Sequence, residues 1–432
     1  VFVSGRLVLL VALGVVPVVL LAAGGAPAWA VAGAWVVLAA ALAAADVALA
    51  ADPRRLRVER RLPVRTLKDD PAVSELVVTN TGDRRLRGLL RDGWQPTAGA
   101  DDARLALDVP AGERRMLRQP LRPRRRGELR TAFVAVRSLG PLGLAGRQRT
   151  LDAPGRIRVL PPFRARRHLP SRLARLRELD GATSVLVRGP GTEFDSLREY
   201  VRGDDVRAID WRATARAGTT MLRTWRPERD RHVVIVIDTG RTAAARVGDG
   251  TRLDAAMEAA LLLSALAARA GDHVHVVCFD RVVRARLTRT DGPALLPALV
   301  DALAPVEPQL IDTDWDAAFA AVRSFTTRPS LVVLLTAHDE PAAARGFLGS
   351  LPALAARTRV LVATATDEEA APAPREALDV YVAAAAARGR ADAERVAAAV
   401  RRAGGEALAA SADELPPRVA DRYLALKAAG RL

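Results

Sequence analysis

Residues 7–23 form an uncharged apolar run, interrupted only by Gly14 and Pro17, and a second such run covers 28–45. Each approaches the roughly 20 residues that cross a bilayer as a helix. With the Gly24-Gly25-Ala26-Pro27 turn between them, they predict two N-terminal transmembrane helices as a hairpin over residues 1–52. A signal peptide fits less well, because no cleavage site leads into a polar mature region and a second apolar run follows at once. From 53 to 162 the pattern shortens to alternating runs, at 74–82, 105–109, 131–136 and 157–160, with Asn80-Thr81-Gly82-Asp83 as a turn by its own chemistry. Short runs at this spacing predict an antiparallel β-sandwich. A linker, a short helical piece and a strongly charged stretch fill 163–230. Over 231–432, apolar runs at 233–237, 274–279, 282–287, 331–336 and 360–364 alternate with helical patterns at 253–270, 293–303, 315–325, 341–355 and 392–403. That alternation predicts a Rossmann-like α/β domain, its mostly parallel sheet covered on both faces. Only Asp280-Arg281 separates the run at 282–287 from its neighbour, which predicts an antiparallel edge hairpin.

Charge orients the hairpin. Arg6 precedes the first span, Arg54, Arg55, Arg57, Arg60 and Arg61 follow the second, and the connecting turn is uncharged. The positive-inside rule then makes this a two-pass plasma-membrane protein with the bulk of the chain cytoplasmic. Trp29 and Trp35 are expected at the outer interface, and Asp46 reads as a boundary residue that reaches the opposite one. The net charge of +16 suggests an anionic partner at first sight. All but two of the 65 basic residues are arginine, however, and they are scattered among acids, so no nucleic-acid partner is expected. The basic run Arg122 to Arg126 reads as a solvated loop, with an acidic partner or lipid headgroups as its functional alternative. Cys278, the only cysteine, excludes an intramolecular disulfide and a cysteine-based zinc cluster, and its apolar setting predicts a buried thiol.

The densest chemistry lies between 187 and 242. Gly191, Glu193, Phe194, Arg198, Tyr200, Gly203, Asp204, Asp205, Arg207, Asp210, Trp211 and Arg216 crowd into one short stretch. Charges at this density read as an ion-pair network, as a partner-binding surface, or as both. The pattern G-x-E-F-x-x-L-R-E-Y-x-x-G-D-D-x-R-x-I-D-W-x-A-x-A-R over 191–216 resembles the signature of the bacterial domain-of-unknown-function 58 family. Leu139-Gly140-Pro141-Leu142-Gly143-Leu144 fits, loosely, a place equivalent to one that precedes the signature in that family. The strand ending in Asp238-Thr239-Gly240-Arg241-Thr242 is similar to the start of a von Willebrand factor type A domain. The resemblance implies a membrane-tethered protein carrying a divergent domain of that type.

Ligands of open α/β sheets sit beyond the carboxyl ends of the strands, which places Asp238, Thr242, Thr313 and Thr336 at one rim. In the type A family a divalent cation is held there by an Asp-x-Ser-x-Ser turn, a threonine and a second aspartate. By that resemblance Asp238, Thr242 and Thr313 are the metal-ligand candidates, and Mg²⁺ is the one cofactor suggested. The sequence departs from the pattern at Gly240 and Ala337, with Asp339, Asp312 or Asp314 as substitutes for the second acid. Nucleotide hydrolysis is argued against, since neither Lys68 nor Lys427 precedes Ser or Thr as a P-loop lysine must. His273 and His275 alternate along a strand and read as packing residues, whereas His338 belongs with the rim. No catalytic residue is assigned. The leading expectation is a non-enzymatic interaction or assembly protein, for which the resemblance implies a MoxR-type AAA+ ATPase as partner. The alternatives are a hydrolase using Glu193, Asp204, Asp205 and Asp210, or a structural envelope tether. Arginine-rich surroundings depress carboxylate pKa values, which suits ion pairs better than acid–base work.

Overall fold

The computed structural model describes residues 1–101, 104–184, 193–201, 204–226, 231–288, 290–326, 328–338, 340–367, 377–430 and 432. It divides into two units, Val1–Leu160 and Pro161–Leu432, each with its own core.

The N-terminal unit opens with strand β1 (Phe2–Val3), then helices α1 (Gly5–Leu13) and α2 (Val15–Ala23), then α3 (Ala28–Leu49). The combined α1–α2 limb and α3 are each long and apolar enough to cross a membrane. Gly14 joins α1 to α2 because a Cβ there would lie 2.2 Å from the Trp35 ring. The Trp35 Nε1 donates to the Leu10 carbonyl at 3.0 Å, so this indole packs against the first limb of the hairpin. Asp46 departs from expectation. It is buried, and its carboxylate accepts the backbone N–H groups of Leu142 (2.8 Å), Leu144 (2.7 Å) and Ala145 (2.9 Å). An acid in an apolar helix needs such donors, and the 140–145 loop supplies them.

The rest of this unit is a two-layer β fold made of β2 (Leu56–Arg61), β3 (Arg65–Leu67), β4 (Ala72–Asn80), β5 (Leu86–Asp92), β6 (Arg104–Val109), β7 (Arg114–Leu121), β8 (Gly127–Leu139) and β9 (Ala145–Leu160). One sheet runs β1-β9-β8-β5-β6 with β3 added parallel to β9, and the other runs β2-β4-β7. Alternation along the strands turns Leu76, Val78, Leu86, Leu90, Leu107, Val134 and Val136 into a shared core. β1 pairs with the start of β9, Phe2 opposite Gly146, which continues the sheet into the helical hairpin. Arg126, expected in a solvated loop, is buried.

One ion pair sits inside this sandwich. Arg60 grips Asp92 through two parallel bonds of 2.7 Å, with both side chains almost wholly buried. Asp92 also accepts from the Trp94 Nε1 at 2.9 Å and from the Ser74 hydroxyl at 3.2 Å. The Arg60 Nε donates to the Ala153 carbonyl at 3.0 Å, so the pair ties four strands and a loop together.

The C-terminal unit holds α4 (Leu169–Ser184), the ribbon strands β10 (Glu193–Glu199) and β11 (Met221–Arg226), and α5 (Trp211–Ala217) between them. Next come β12 (His232–Asp238), a small hairpin of β13 (Arg246–Val247) and β14 (Gly250–Thr251), and α6 (Arg252–Arg269). The chain continues through β15 (His273–Phe279), β16 (Val283–Leu287), α7 (Leu295–Leu303), α8 (Trp315–Phe325), β17 (Leu331–Leu335), α9 (Arg345–Ala355), β18 (Arg359–Ala365), α10 (Ala377–Arg402), β19 (Glu406–Ala410) and α11 (Leu415–Ala428). The main sheet is ordered β16-β15-β12-β17-β18-β19, parallel except for the β16 edge hairpin. Strand residues alternate between two cores. Val233, Ile235 and Ile237 face α6 and α11, while Val234 and Val236 face α8 and α9. Helix α6 is buried almost all round and starts at a capping box in which Thr251 and Asp254 bond each other's backbone. The β19 strand and α11 helix, and the start of α10 at Ala377, extend the sheet and its cover beyond the predicted elements.

Asp92→Ala leaves the Arg60 charge buried without its partner and is expected to cost about 3–5 kcal/mol, whereas replacing both Arg60 and Asp92 by apolar residues costs much less. A double-mutant cycle in denaturant measures this, and a cost for Asp92→Ala no larger than for the double variant would refute it.

Candidate functional site

The carboxyl ends of β12, β15 and β17 converge on two buried aspartates. Asp238, only 4% exposed, accepts the Gly240 N–H (2.8 Å) and the Thr313 hydroxyl (2.5 Å) on Oδ1, and the Thr336 hydroxyl (2.6 Å) on Oδ2. Burial pushes its carboxyl above the ordinary range against the pull of these three donors, and the neighbouring Asp280 charge adds to the rise. Asp280 accepts from Arg284 Nε (2.6 Å) and the Thr239 hydroxyl (2.9 Å), and from the backbone N–H of Arg281 (2.6 Å). Burial would raise its pKa, but the Arg284 bond and the backbone donors outweigh that and hold Asp280 below the usual carboxylate range.

Gly240 explains how the rim closes. A Cβ at this position would lie 2.4 Å from the Thr313 Oγ1 and 3.0 Å from the Ile311 carbonyl. The missing hydroxyl therefore makes room for Thr313 to reach Asp238 directly. Of the metal-ligand candidates, Asp238 and Thr313 meet, with Thr336 on the other oxygen, while Thr242 lies in the one-turn helix Arg241–Ala244. Asp339 lies outside the described residues. No three His, Cys, Asp or Glu side chains converge among the described residues, and both threonine hydroxyls point their protons at the single carboxylate. A hard divalent cation requires several oxygens facing inward with free lone pairs. The described oxygens do not fit one as arranged.

Above the aspartates, the loop 309–314 is pinned at four points. Gln309 N donates to the Thr239 carbonyl (2.7 Å), Arg241 N to the Ile311 carbonyl (2.8 Å), Asp314 N to the Asp280 carbonyl (2.8 Å), and Thr313 to Asp238. Between these anchors Leu310 is 80% exposed, beside a surface pair of Arg241 and Asp312 at 3.1 Å. The His338 ring stacks on Phe347 (4.4 Å between centroids) and lies near Trp315.

The signature stretch forms a separate feature. β10 and β11 pair antiparallel with a bulge between Phe194 and Ser196, and Glu193 and Phe194 pair with Arg226 and Trp225. Asp204 accepts from Arg198 Nη2 (2.7 Å) and Val201 N (2.9 Å), and Asp205 caps the turn that includes Arg207. Asp210 caps α5 through Arg212 N and Ala213 N and receives Arg223 Nε at 2.7 Å. The Ala213 N–H first, then Arg223, holds its carboxyl below the usual range. Tyr200 N closes the ribbon on the Thr220 carbonyl. Trp211, Arg207 and Arg216 are exposed, Trp211 by 71%. Gly191 and Gly203 lie outside the described residues. Among the described residues, the partners of Asp238 all belong to the rim, so Asp238 does not bond the arginine-rich ribbon.

With this geometry in place, comparison with known proteins is informative. Residues 196–412, half of the chain, match the family profile described as "Protein of unknown function DUF58". The chain belongs to the DUF58 family. The DUF58 region starts inside β10 and ends just past β19, so it takes in the ribbon, the rim and the whole main sheet, and leaves the N-terminal unit outside. Two relatives, the uncharacterized protein Rv1480 of Mycobacterium tuberculosis and the uncharacterized protein Mb1516 of Mycobacterium bovis, are 26% identical over 191 residues. The matched region is 44% of this chain and 59% of each relative, less than two thirds of their length. Among solved structures, a CARDB domain from Pyrococcus furiosus matches 24% of this chain and 91% of its own at 16% identity, with a TM-score of 0.18. A β-glucosidase from Listeria innocua matches 24% of this chain and 16% of its own at 13% identity, with a TM-score of 0.17. Scores this low carry no argument about fold or activity.

At the opposite end of the strands the DUF58 domain stacks three histidines. His232 Nδ1 and His275 Nε2 are 3.0 Å apart, His232 also stacks on His273, and His273 Nδ1 meets Asp291 Oδ2 at 3.1 Å. Sequence reading found His273 and His275 but missed His232 and Asp291, because strand register, not spacing, brings them together. Burial first, then the His232 and His273 charges, lowers the pKa of His275 below 6.5.

Three expectations follow from these contacts. Asp238→Ala orphans two hydroxyls and one N–H and is expected to cost about 2–4 kcal/mol in a denaturant melt, with Asp238→Asn milder; a neutral Asp238→Ala would contradict it. Millimolar Mg²⁺ leaves the wild-type Tm in place, since a cation that bound the folded state would raise it. His275 favours the fold when neutral, so its contribution is complete above the unfolded pKa and fades as pH falls through the lowered folded value. The Tm therefore drops as pH falls from the ordinary histidine range through the lowered folded value, and His275→Phe flattens that drop. An equal slope in the variant would assign the acid sensitivity elsewhere.

Proposed function

We propose that the chain is a membrane-anchored interaction protein that presents the 309–314 loop, at the rim of its main sheet, to a protein partner. The observation that carries this reading is the four-point pinning of that loop around a largely exposed Leu310. A surface already rigid in its bound shape loses little entropy on association. The polar groups beneath are satisfied by one another, which favours recognition over turnover. Asp204 and Asp210 are engaged by arginines and backbone donors, an arrangement that does not favour the hydrolase alternative. The strand order, with one antiparallel edge, supports a von Willebrand factor type A-like assignment for the sheet domain.

The N-terminal hairpin supplies the anchor, and the arginine distribution supports a two-pass topology with the remainder cytoplasmic. The family resemblance adds a MoxR-type AAA+ ATPase as the partner to test. A structural envelope tether is the second reading, favoured by the buried Asp46 joint between the hairpin and the β-sandwich.

Affinity capture of the full chain from mild detergent tests the two readings. Leu310→Asp keeps the fold, because the side chain is exposed, and is expected to abolish retention of an AAA+ ATPase that the wild type captures. Retention unchanged by Leu310→Asp would remove the loop from the interface, and capture of no ATPase by the wild type would leave the tether reading in its place.

A further inference from the structure

We infer that the base of the helical hairpin is a binding site for anionic phospholipid headgroups, built around Arg84 and Arg147. The inference rests on the membrane-anchored reading above. Helix α3 is 22 residues long, about 33 Å at 1.5 Å per residue, which matches a hydrocarbon core of about 30 Å. Its last carbonyls therefore emerge at headgroup depth.

Those carbonyls are not left to solvent. The Arg147 Nε donates to the Val47 carbonyl at 3.0 Å, and the Arg84 Nη1 donates to the Ala48 and Leu49 carbonyls at 3.2 and 3.3 Å. The two arginines come from different parts of the sandwich, the β4–β5 turn and the start of β9. Each guanidinium carries five N–H donors in a fixed fork, so docking on the helix end orients the remaining ones without exhausting them. Arg84 is exposed, and Arg147 is part-buried, its Nη2 also donating to the Ala48 carbonyl at 3.5 Å and its Nη1 pairing with Asp52 at 4.0 Å. Arg6, in the first turn of α1, lies over Gly143 in the loop held by Asp46, which places a third exposed guanidinium at the same end of the unit. Asp46 is buried beneath backbone donors and presents no charge-bearing surface to the bilayer.

Arginines held at headgroup depth, with donors left over, match a phosphodiester in charge and geometry. Each basic residue near an anionic membrane surface is worth about fivefold in partitioning. The arginines of the far end of β9 make a built-in control. Arg156 is separated from the membrane end by nine residues of strand, about 30 Å.

The full-length chain is reconstituted in nanodiscs of mixed phosphatidylglycerol and phosphatidylcholine, and retained lipids are counted by native mass spectrometry. Wild type is expected to enrich phosphatidylglycerol about threefold or more over the input mixture. Arg84→Gln with Arg147→Gln brings the ratio near parity, and Arg156→Gln leaves it unchanged. Because the double variant also uncaps α3, the wild type is measured at high salt as well, where screening of the exposed arginines must lower the enrichment. Parity in the wild type, enrichment that survives the double variant, or equal loss in Arg156→Gln overturns the site. Displacement of the lipid by millimolar inorganic phosphate would reassign it to free anions and overturn the headgroup proposal. Resistance of the wild type to carbonate extraction is scored separately. Extraction by carbonate would refute the membrane anchor itself, and the site with it; resistance without lipid preference would refute the site alone.

Discussion

A buried carboxylate must find donors, and in this chain that requirement decides where loops and helix ends go. The buried acids of the described residues are all aspartates: Asp46, Asp92, Asp238, Asp272 and Asp280. Each joins segments far apart in sequence. Asp46 collects the 140–145 loop, Asp92 collects Arg60, Ser74 and Trp94, Asp238 collects Thr313 and Thr336, and Asp280 collects Thr239 and Arg284. Asp272 takes the Tyr423 hydroxyl and the Lys427 ammonium, which fastens α11 to the turn after α6. With one cysteine, the chain has no intramolecular disulfide to do this. Short acids, whose side chains lose little rotamer freedom, serve as staples instead.

The same chemistry divides the rim into a buried layer and an outer one. Asp238 and Asp280 hold the 239–241, 280–282 and 309–314 loops from beneath, and their own polar atoms are engaged in doing so. What faces outward is the layer above: Leu310, the Arg241–Asp312 pair, and Arg281 with its Nε on the Asp312 carbonyl. A cation cage would need the buried oxygens to face a ligand. Here Gly240 lets Thr313 close onto Asp238, so at the position where the resembled family's pattern carries a hydroxyl this chain makes room for a direct hydrogen bond.

Much of the fold was legible where side chains alone dictate the element. Val233 to Ile237 and Leu331 to Leu335 are β-branched or apolar throughout and bury both faces, as a central parallel strand must. The edge hairpin was legible because two residues cannot make a crossover. The 406–410 strand was not, since Glu-Ala-Leu-Ala-Ala has helical composition and becomes a strand only by pairing with β18. Likewise Leu415 is followed by two prolines, which read as a stop and serve instead as the first turn of α11. At the site, Asp238 and Thr336 were legible as rim residues from their place after apolar runs, and Thr313 through the type A resemblance. Arg284, His232 and the Trp35–Gly14 contact were hidden, because register and helix packing bring them to their partners and no spacing in the sequence records that.

Arginine, not lysine, carries nearly all the positive charge, and its placement shows why the exchange matters. Arg60 forks onto both Asp92 oxygens, Arg172 onto both of Asp421, and Arg422 onto both of Glu406, each joining parts of the chain that a point charge would hold less firmly. Arg84 reaches two successive carbonyls of α3 with one nitrogen while the residue stays exposed. Lysine appears where a compact ammonium suffices: Lys427 is buried against Asp272 and the Ala270 carbonyl at a helix end. The net charge of +16 is thus the sum of many local pairings plus an excess at particular surfaces. An excess distributed in this way argues for several small docking tasks, at a membrane and at a partner, over one continuous polyanion track.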